Sequence, residues 1–323
     1  MTAIVEANAK SVAQAGDLIV SGALVAFPTE TVYGLGADAT NDHAVASIFE
    51  TKGRPNFNPL IVHVANLDEA KRYVQFTPQA EKLAHIFWPG GLTLVLPRRA
   101  DAPISLLVSA GLDTLALRVP SHPVALALLK AAKRPIAAPS ANASGKVSPT
   151  QAAHVEESLG GKKALALILD GGACRLGLES SVVGFPTGGA PVWLRPGAVP
   201  KEAVERELGV KLANAAETSG EETRSSPGQL ASHYAPNAKL RLNAGDVRAD
   251  ELLLGFGANA PQGAEVLNLS PRGDLAEAAA NFFAMLRALD ARAQGRVIAV
   301  MPIPETGLGE AINDRLKRAL VRD

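Results

Sequence analysis

Three short stretches of this chain combine side chains in patterns that could do chemistry. The first, Phe27-Pro-Thr-Glu-Thr-Val-Tyr-Gly-Leu-Gly36, leaves an apolar strand and then mixes hydroxyls, a carboxylate and two glycines. Loops that follow strands in open α/β sheets are where ligands bind. A tight turn with satisfied hydroxyls has the same composition, and the residues alone leave both readings open. The second stretch, Lys52-Gly-Arg54, sets two cations around a glycine ahead of Pro55, whose ring excludes helix. A rigid guanidinium fork beside a compact ammonium suits a polyphosphate. The third, Ala138-Pro-Ser-Ala-Asn-Ala-Ser-Gly-Lys-Val-Ser-Pro149, carries the hydroxyls of Ser140, Ser144 and Ser148 and the amide of Asn142 around a glycine nest. Such a set can cradle phosphates, although an ordinary Ser/Gly/Pro loop reads the same way. His63 lies inside an apolar strand, where a structural role is the commoner one.

Several look-alikes carry no function. Gly145-Lys146-Val147 is no phosphate-binding P-loop, because Val147 replaces the required hydroxyl and Ser140 takes the place of the leading glycine. Gly34-x-Gly36-x-x-Ala39 and Gly255-x-Gly257-x-x-Ala260 imitate a dinucleotide fingerprint. The first starts well past its strand and the second runs into Pro261, so neither meets the strand-to-helix condition. The six histidines show no metal-ligand spacing, and no G-x-S-x-G elbow is present.

The elements that position these stretches follow from hydrophobic periodicity. A helix is predicted over 5–21, with Val12, Ala15, Leu18 and Ile19 on one face, then a buried strand over 24–27. Further helices are predicted over 42–50, 67–73, 78–87 and 123–132. Strands are predicted over 60–64, 92–96, 115–119, 135–138, 164–170, 181–184 and 192–194. This alternation predicts an α/β fold, a twisted mixed sheet covered by helices. Between 213 and 236 the chain turns to Glu, Thr, Ser, Gly and Pro, a linker composition. Beyond it, strands over 239–242, 251–256, 264–269 and 297–301 and helices over 275–293 and 309–320 predict a smaller C-terminal β/α domain of Rossmann-like type. The expected organisation is a catalytic domain over 1–205, a linker over 206–236 and a C-terminal domain over 237–323.

Composition bounds the partners. Lys+Arg and Asp+Glu both number 32, so the net charge is zero and the basic excess of a nucleic-acid clamp is missing. Cys174 is the single cysteine, which rules out an intramolecular disulfide and fits a reducing compartment such as the cytoplasm. No apolar run reaches the ~18–20 residues of a membrane span.

Taken in order, Pro28-Thr-Glu-Thr-Val-Tyr-Gly-Leu-Gly36, Lys52-x-Arg54, Asn58-Pro-Leu-Ile-Val-His63, Trp88-Pro-Gly-Gly-Leu-Thr93, Arg118-Val-Pro120, Pro139-Ser-Ala-Asn142 and Glu179-Ser-Ser-Val182 closely resemble the YrdC family, the threonylcarbamoyl-AMP synthases. The resemblance covers about the first 200 residues. Ser232-His-Tyr234 and the added C-terminal domain resemble the long, two-domain branch of that family.

The resemblance implies a nucleotidyltransferase that joins L-threonine, bicarbonate and ATP into threonylcarbamoyl adenylate and pyrophosphate. A downstream tRNA threonylcarbamoyl transferase complex would then use the adenylate, with at most a weak tRNA contact by this chain. By motif, Thr31, His63, Arg118, Ser180 and the backbone at Ala138 would hold threonine. Arg54, Asn58, Thr114, Ser140, Asn142, Ser148, Arg195 and Tyr234 would line the ATP site. Lys52 and Arg54 would act on the phosphates as the catalytic pair, with Mg²⁺ bridging pyrophosphate oxygens. The family often has Ser or Thr shortly after Lys-x-Arg where this chain has Pro55 and Asn56. Tyr234 lies in the linker, which could fold back over the adenylate as a lid. Two rivals remain in view. A non-catalytic RNA-binding module could use Lys52, Arg54, Arg118, Lys146 and Arg195. A carbamoyl transferase of hydrogenase maturation would need cysteine-rich zinc segments that this chain lacks.

Overall fold

The structure, a computed structural model, describes residues 2–55, 58–214 and 234–321. Asn56, Ser232 and His233 therefore lie outside the described residues, as does the 215–233 part of the expected lid.

The N-terminal region is built on one large mixed sheet. Its strands are β1 (Ile4–Glu6), β2 (Leu24–Phe27), β3 (Gly34–Asp38), β4 (Ile61–His63), β5 (Leu92–Pro97), β6 (Thr114–Arg118), β7 (Ile136–Ala137), β8 (Leu165–Asp170), β9 (Ser181–Gly184), β10 (Val192–Arg195) and β11 (Ala213–Asn214). They lie in the order β1-β8-β2-β3-β7-β4-β6-β5-β9-β10-β11. β2 is buried on both faces, as its Leu-Val-Ala-Phe run demands, and pairs parallel to β8 and antiparallel to β3.

Helices cover this sheet: α1 (Ala9–Val20), α2 (Asp42–Lys52), α3 (Leu67–Ala70), α4 (Pro78–Phe87), α5 (Pro123–Ala132), α6 (Ala152–Leu159) and α7 (Lys201–Leu208). The helix predicted from residue 5 starts at Ala9. Asn8 and Ser11 close a capping box there, which frees Ile4–Glu6 to pair parallel with β8. Gly16 lets α1 approach α5 closely, since a Cβ there would lie 2.9 Å from Ala131 Cβ.

The stretch expected as a loop through Gly36 is shorter than that, because Gly34 and Gly36 sit in β3. A side chain at Gly36 would strike Phe27 and Ile136 at 2.8 and 2.9 Å, so this glycine serves sheet packing. α6 and α7 were not expected. The last turn of α7, over 206–208, and β11 fall within the expected linker, with β11 pairing parallel to β10.

The C-terminal region forms a second, all-parallel sheet of β12 (Leu240–Arg241), β13 (Leu252–Gly255), β14 (Val266–Asn268) and β15 (Ile298–Val300), ordered β12-β15-β13-β14. Two helices pack on it, α8 (Leu275–Ala293) and α9 (Leu308–Leu320). α8 starts at an Asp274 cap and buries Ala278, Ala279, Phe282, Phe283, Leu286, Leu289 and Ala293, the stripe its 3.6-residue period dictates. That core is continuous with the first region through Val32, Val147 and Leu178. Gly177, at φ 69°, meets α8 so closely that a Cβ would sit 2.3 Å from Ala279 O.

Candidate active site

The ends of β2, β4 and β6 converge on one cleft. Parallel pairing of β4 with β6 puts His63 beside Arg118 in register, and the turn after β2 brings in Thr29 and Thr31, with Glu30 between them turned to Arg118. Arg118 is 3% exposed and held at all three nitrogens. Nε donates to Gly90 O at 3.0 Å, Nη1 to Thr31 Oγ1 at 2.8 Å and Nη2 to Glu30 Oε1 at 2.6 Å. A guanidinium has five N–H groups, so two remain for a ligand.

The other oxygen of Glu30 accepts from Ser121 N at 3.0 Å. Burial would raise its pKa, but the charge and hydrogen bond of Arg118, helped by Ser121 N–H, outweigh that and hold the carboxyl below its usual range. Thr29 Oγ1 donates to Val32 O at 2.7 Å and lies 2.7 Å from Thr31 Oγ1. Thr31 therefore donates to Thr29 while accepting from Arg118. The turn satisfies its hydroxyls internally and still faces the cleft.

Burial, reinforced by the charge of Arg118, pushes the His63 pKa down to about 3, so the ring is neutral at physiological pH. Its Nδ1 is buried with no hydrogen-bond partner among the described residues, and its ring stands edge-on to Phe27, 6.1 Å between centroids. Ser180 Oγ lies 2.7 Å from Thr93 Oγ1 and accepts from Arg195 Nη2 at 3.2 Å. Thr31, His63, Arg118, Ala138 and Ser180 all line the cleft.

The opposite wall carries cations. α2 ends at Gly53, left-handed at φ 60°, which turns the chain so that Arg54 follows at once. Arg54 donates through Nε to Asn58 O at 3.3 Å and through Nη2 to Pro59 O at 3.0 Å. Burial, with Arg195 nearby, lowers its pKa to about 10, which leaves it charged at neutral pH. Arg195 donates twice to Ser180 O, at 3.1 and 2.7 Å. Ser140 is placed by a bridge to Gly34. Tyr234, 1% exposed and left-handed at φ 65°, closes this side; its ring stacks on Phe283 at 5.7 Å. Arg54, Ser140, Arg195 and Tyr234 line the cleft, which holds about 580 Å³ of empty space.

Other expected residues stand behind that wall. Lys52, expected on the phosphates, does not line the cleft. Its buried Nζ donates to Ser140 O at 2.5 Å and to Asn142 O, and burial with the charge of Arg54 pulls its pKa well below the usual lysine value. It anchors the 140–142 loop. Asn58 sits under Arg54 with its Nδ2 unpartnered. Asn142 donates through Nδ2 to Ala143 O and Lys146 O while its Oδ1 lacks a partner. Ser148 donates to Glu179 Oε1 at 2.5 Å. Thr114 begins β6, four residues before Arg118 and so roughly 13 Å along the strand on the same face.

Four contributors escaped the sequence reading: Glu30, Thr93, Glu179 and Arg315. Glu30, Thr93 and Glu179 lie inside the motifs given above without a role assigned to them, and an acid beside Thr31 was the available signal for the first. Glu179 lines the cleft and pairs through Oε2 with Arg315 Nε at 3.1 Å. An arginine on the buried stripe Ala311, Ile312, Arg315, Leu316, Ala319 of α9 was the signal for the last.

Among the described residues no three His, Cys, Asp or Glu side chains form a metal cage. Glu179, which lines the cleft, and Glu30, which backs Arg118, already have each oxygen engaged. This donor set suits a divalent ion carried by substrate phosphates and water better than one held by protein ligands. No described helix is long and apolar enough to cross a membrane.

Comparison with known proteins agrees over the whole chain. The Sua5/YciO/YrdC family model, described as "Telomere recombination", matches residues 17–197. A second, described as "Threonylcarbamoyl-AMP synthase, C-terminal domain", matches residues 199–320. A threonylcarbamoyl-AMP synthase of Pyrococcus abyssi is 43% identical over 323 residues, covering 94% of this chain and 92% of the relative. That of Bacillus subtilis is 41% identical over 328 residues, covering 97% and 93%. The crystal structure of P. abyssi Sua5 complexed with L-threonine superposes with a TM-score of 0.85 at 38% identity, covering 99% of this chain and 97% of that one.

Proposed function

This chain belongs to the Sua5/YrdC family of threonylcarbamoyl-AMP synthases, and from that premise we propose the chemistry of its cleft. It is an enzyme that makes threonylcarbamoyl-AMP for tRNA modification, with L-threonine as a substrate. Bicarbonate carboxylates the threonine amine with loss of water. The carbamate oxygen then attacks the α-phosphorus of ATP as the bond to the β-phosphate breaks, and pyrophosphate leaves with the electron pair. The reaction class is nucleotidyl transfer.

The residues act by position and charge. Arg118, held by Thr31, Glu30 and Gly90, offers its two remaining N–H groups to the threonine carboxylate. Thr31, Ser180 and the backbone at Ala138 surround the rest of threonine. Neutral His63 adds a hydrogen-bonding edge without adding charge. Arg54 and Arg195 face the phosphates beside Ser140 and Tyr234. Lys52, Asn58, Asn142 and Ser148 brace that wall, and Thr114 extends the same sheet face for the nucleoside. A divalent ion such as Mg²⁺, carried in by the triphosphate, would supply charge stabilisation there, beside Arg54 and Arg195. The adenylate passes to a tRNA-modifying transferase.

One observation carries this reading: a carboxylate-reading arginine and a two-arginine wall line one volume. Pyrophosphate release from MgATP, with threonine and bicarbonate omitted in turn and the adenylate sought by mass, is the test. Release must require both. Release independent of threonine would point to the carbamoyl-transfer alternative, and salt-dependent tRNA affinity without any turnover to the RNA-binding one, which the zero net charge disfavours.

A further inference from the structure

α9 carries an arginine from the C-terminal region to the wall of the cleft. Arg315 is 0% exposed on a helix stripe otherwise made of Ala311, Ile312, Leu316 and Ala319. A buried guanidinium is a poor choice for stability, and an apolar side chain of similar volume would serve packing better. Its Nη2 also has no hydrogen-bond partner among the described residues. Its other contacts point to the cleft. Nε donates to Glu179 Oε2 at 3.1 Å, Nη1 donates to Pro196 O at 2.8 Å, and Cζ lies 5.2 Å from the Tyr234 ring centroid. Glu179 and Tyr234 line the cleft, and Pro196 follows the cleft residue Arg195.

No step of the proposed reaction uses a carboxylate at Glu179, and a bare one would repel a triphosphate and drain charge from Arg54 and Arg195. Arg315 also contacts Asp314 Oδ2 at 2.7 Å, and Arg318 contacts Asp314 Oδ1 at 2.9 Å. Among the described residues, two carboxylates and two guanidiniums cancel in this cluster. Removing Arg315 leaves one negative charge beside the nucleotide wall.

We propose that Arg315 is a positioning residue of the nucleotide site, neutralising Glu179 so that MgATP meets an undiminished cationic wall, and thereby making nucleotide affinity depend on the docking of α9. This rests on the ATP-dependent reading above. The test uses the full chain and measures the Kd of MgATP and of L-threonine separately, together with thermal unfolding, for wild type, Arg315→Met, Arg315→Lys and the Glu179→Gln/Arg315→Met double variant. Arg315→Met should weaken MgATP about tenfold to a hundredfold and threonine less than about twofold. Arg315→Lys should recover most of the loss. The double variant, with no charge left to mask, should return MgATP to within about threefold of wild type. Equal weakening of both ligands, or a double variant no better than the single, would overturn the proposal. If Arg315→Met does not fold, the lysine and double variants decide by the same criteria. If wild type itself fails to bind MgATP, the nucleotide reading falls first, a result distinct from failure of the Arg315 role.

Discussion

Replacing Glu30 by glutamine removes the charge that holds Arg118 while keeping the side chain's size and one of its two accepting oxygens. The two side chains are each 4% exposed and their contact is 2.6 Å. Stripping one partner from a buried ion pair leaves the other charge uncompensated, at about 3–5 kcal/mol. Unfolding entropy of about 2.1 cal/mol/K per residue gives ~0.7 kcal/mol/K for a chain of 323 residues, so Tm should fall by roughly 4–7 °C at pH 7. The sign with pH follows from the lowered pKa of Glu30. Its stabilisation is fully present above the ordinary value of 4.5 and is lost as pH falls through the lower folded value. The gap between wild type and Glu30→Gln should therefore be widest near neutrality and close on acidification, because protonated Glu30 resembles glutamine. Calorimetry from pH 7 to pH 3.5 measures both quantities. A variant within about 1 °C of wild type at pH 7, or a gap indifferent to pH, would refute the claim that this carboxylate anchors Arg118.

Two further outcomes are expected. His63, with its pKa near 3 in the folded protein against an ordinary 6.5, costs stability as pH falls from 6.5 toward 3, by up to about 1.4 kcal/mol per pH unit. His63→Gln should lessen the slope of the stability profile between pH 6.5 and 5, where Glu30 contributes none and the lowered His122 and His154 keep the remainder; an unchanged profile there would show that the ring titrates normally. Gly53 and Gly177 are both left-handed, but a Cβ at Gly53 meets open space while one at Gly177 would lie 2.3 Å from Ala279 O. Gly53→Ala should cost only the backbone term of about 1–2 kcal/mol, and Gly177→Ala a further ~1–3 kcal/mol for displacing α8, read by urea unfolding. Equal costs would mean that the helix yields freely.

Much of the architecture follows from rules that act over a few residues. Short continuous apolar runs predict β2, β4, β8 and β13, and the helical stripes predict α8 and α9 to within two residues at either end. β3 escaped because Gly-Leu-Gly-Ala-Asp carries turn-like residues, and its strand state depends on pairing with β2 and β7, the latter about a hundred residues away. α6 and α7 are eight-residue helices whose patterns are too short to stand out.

The site divides in the same way. Residue types and motif order determine which groups are available: Thr31, His63 and Arg118 on one side, Arg54, Ser140, Arg195 and Tyr234 on the other. Their working states are set by neighbours far along the chain. Lys52 is spent on carbonyls 88 and 90 residues away, His63 is held neutral by burial, and Glu179 finds its counter-ion 136 residues on, in α9. Periodicity, capping and turn chemistry are local competitions that a sequence displays directly. Burial and charge pairing arise only when distant segments meet in low dielectric, and that meeting is what the tertiary structure decided.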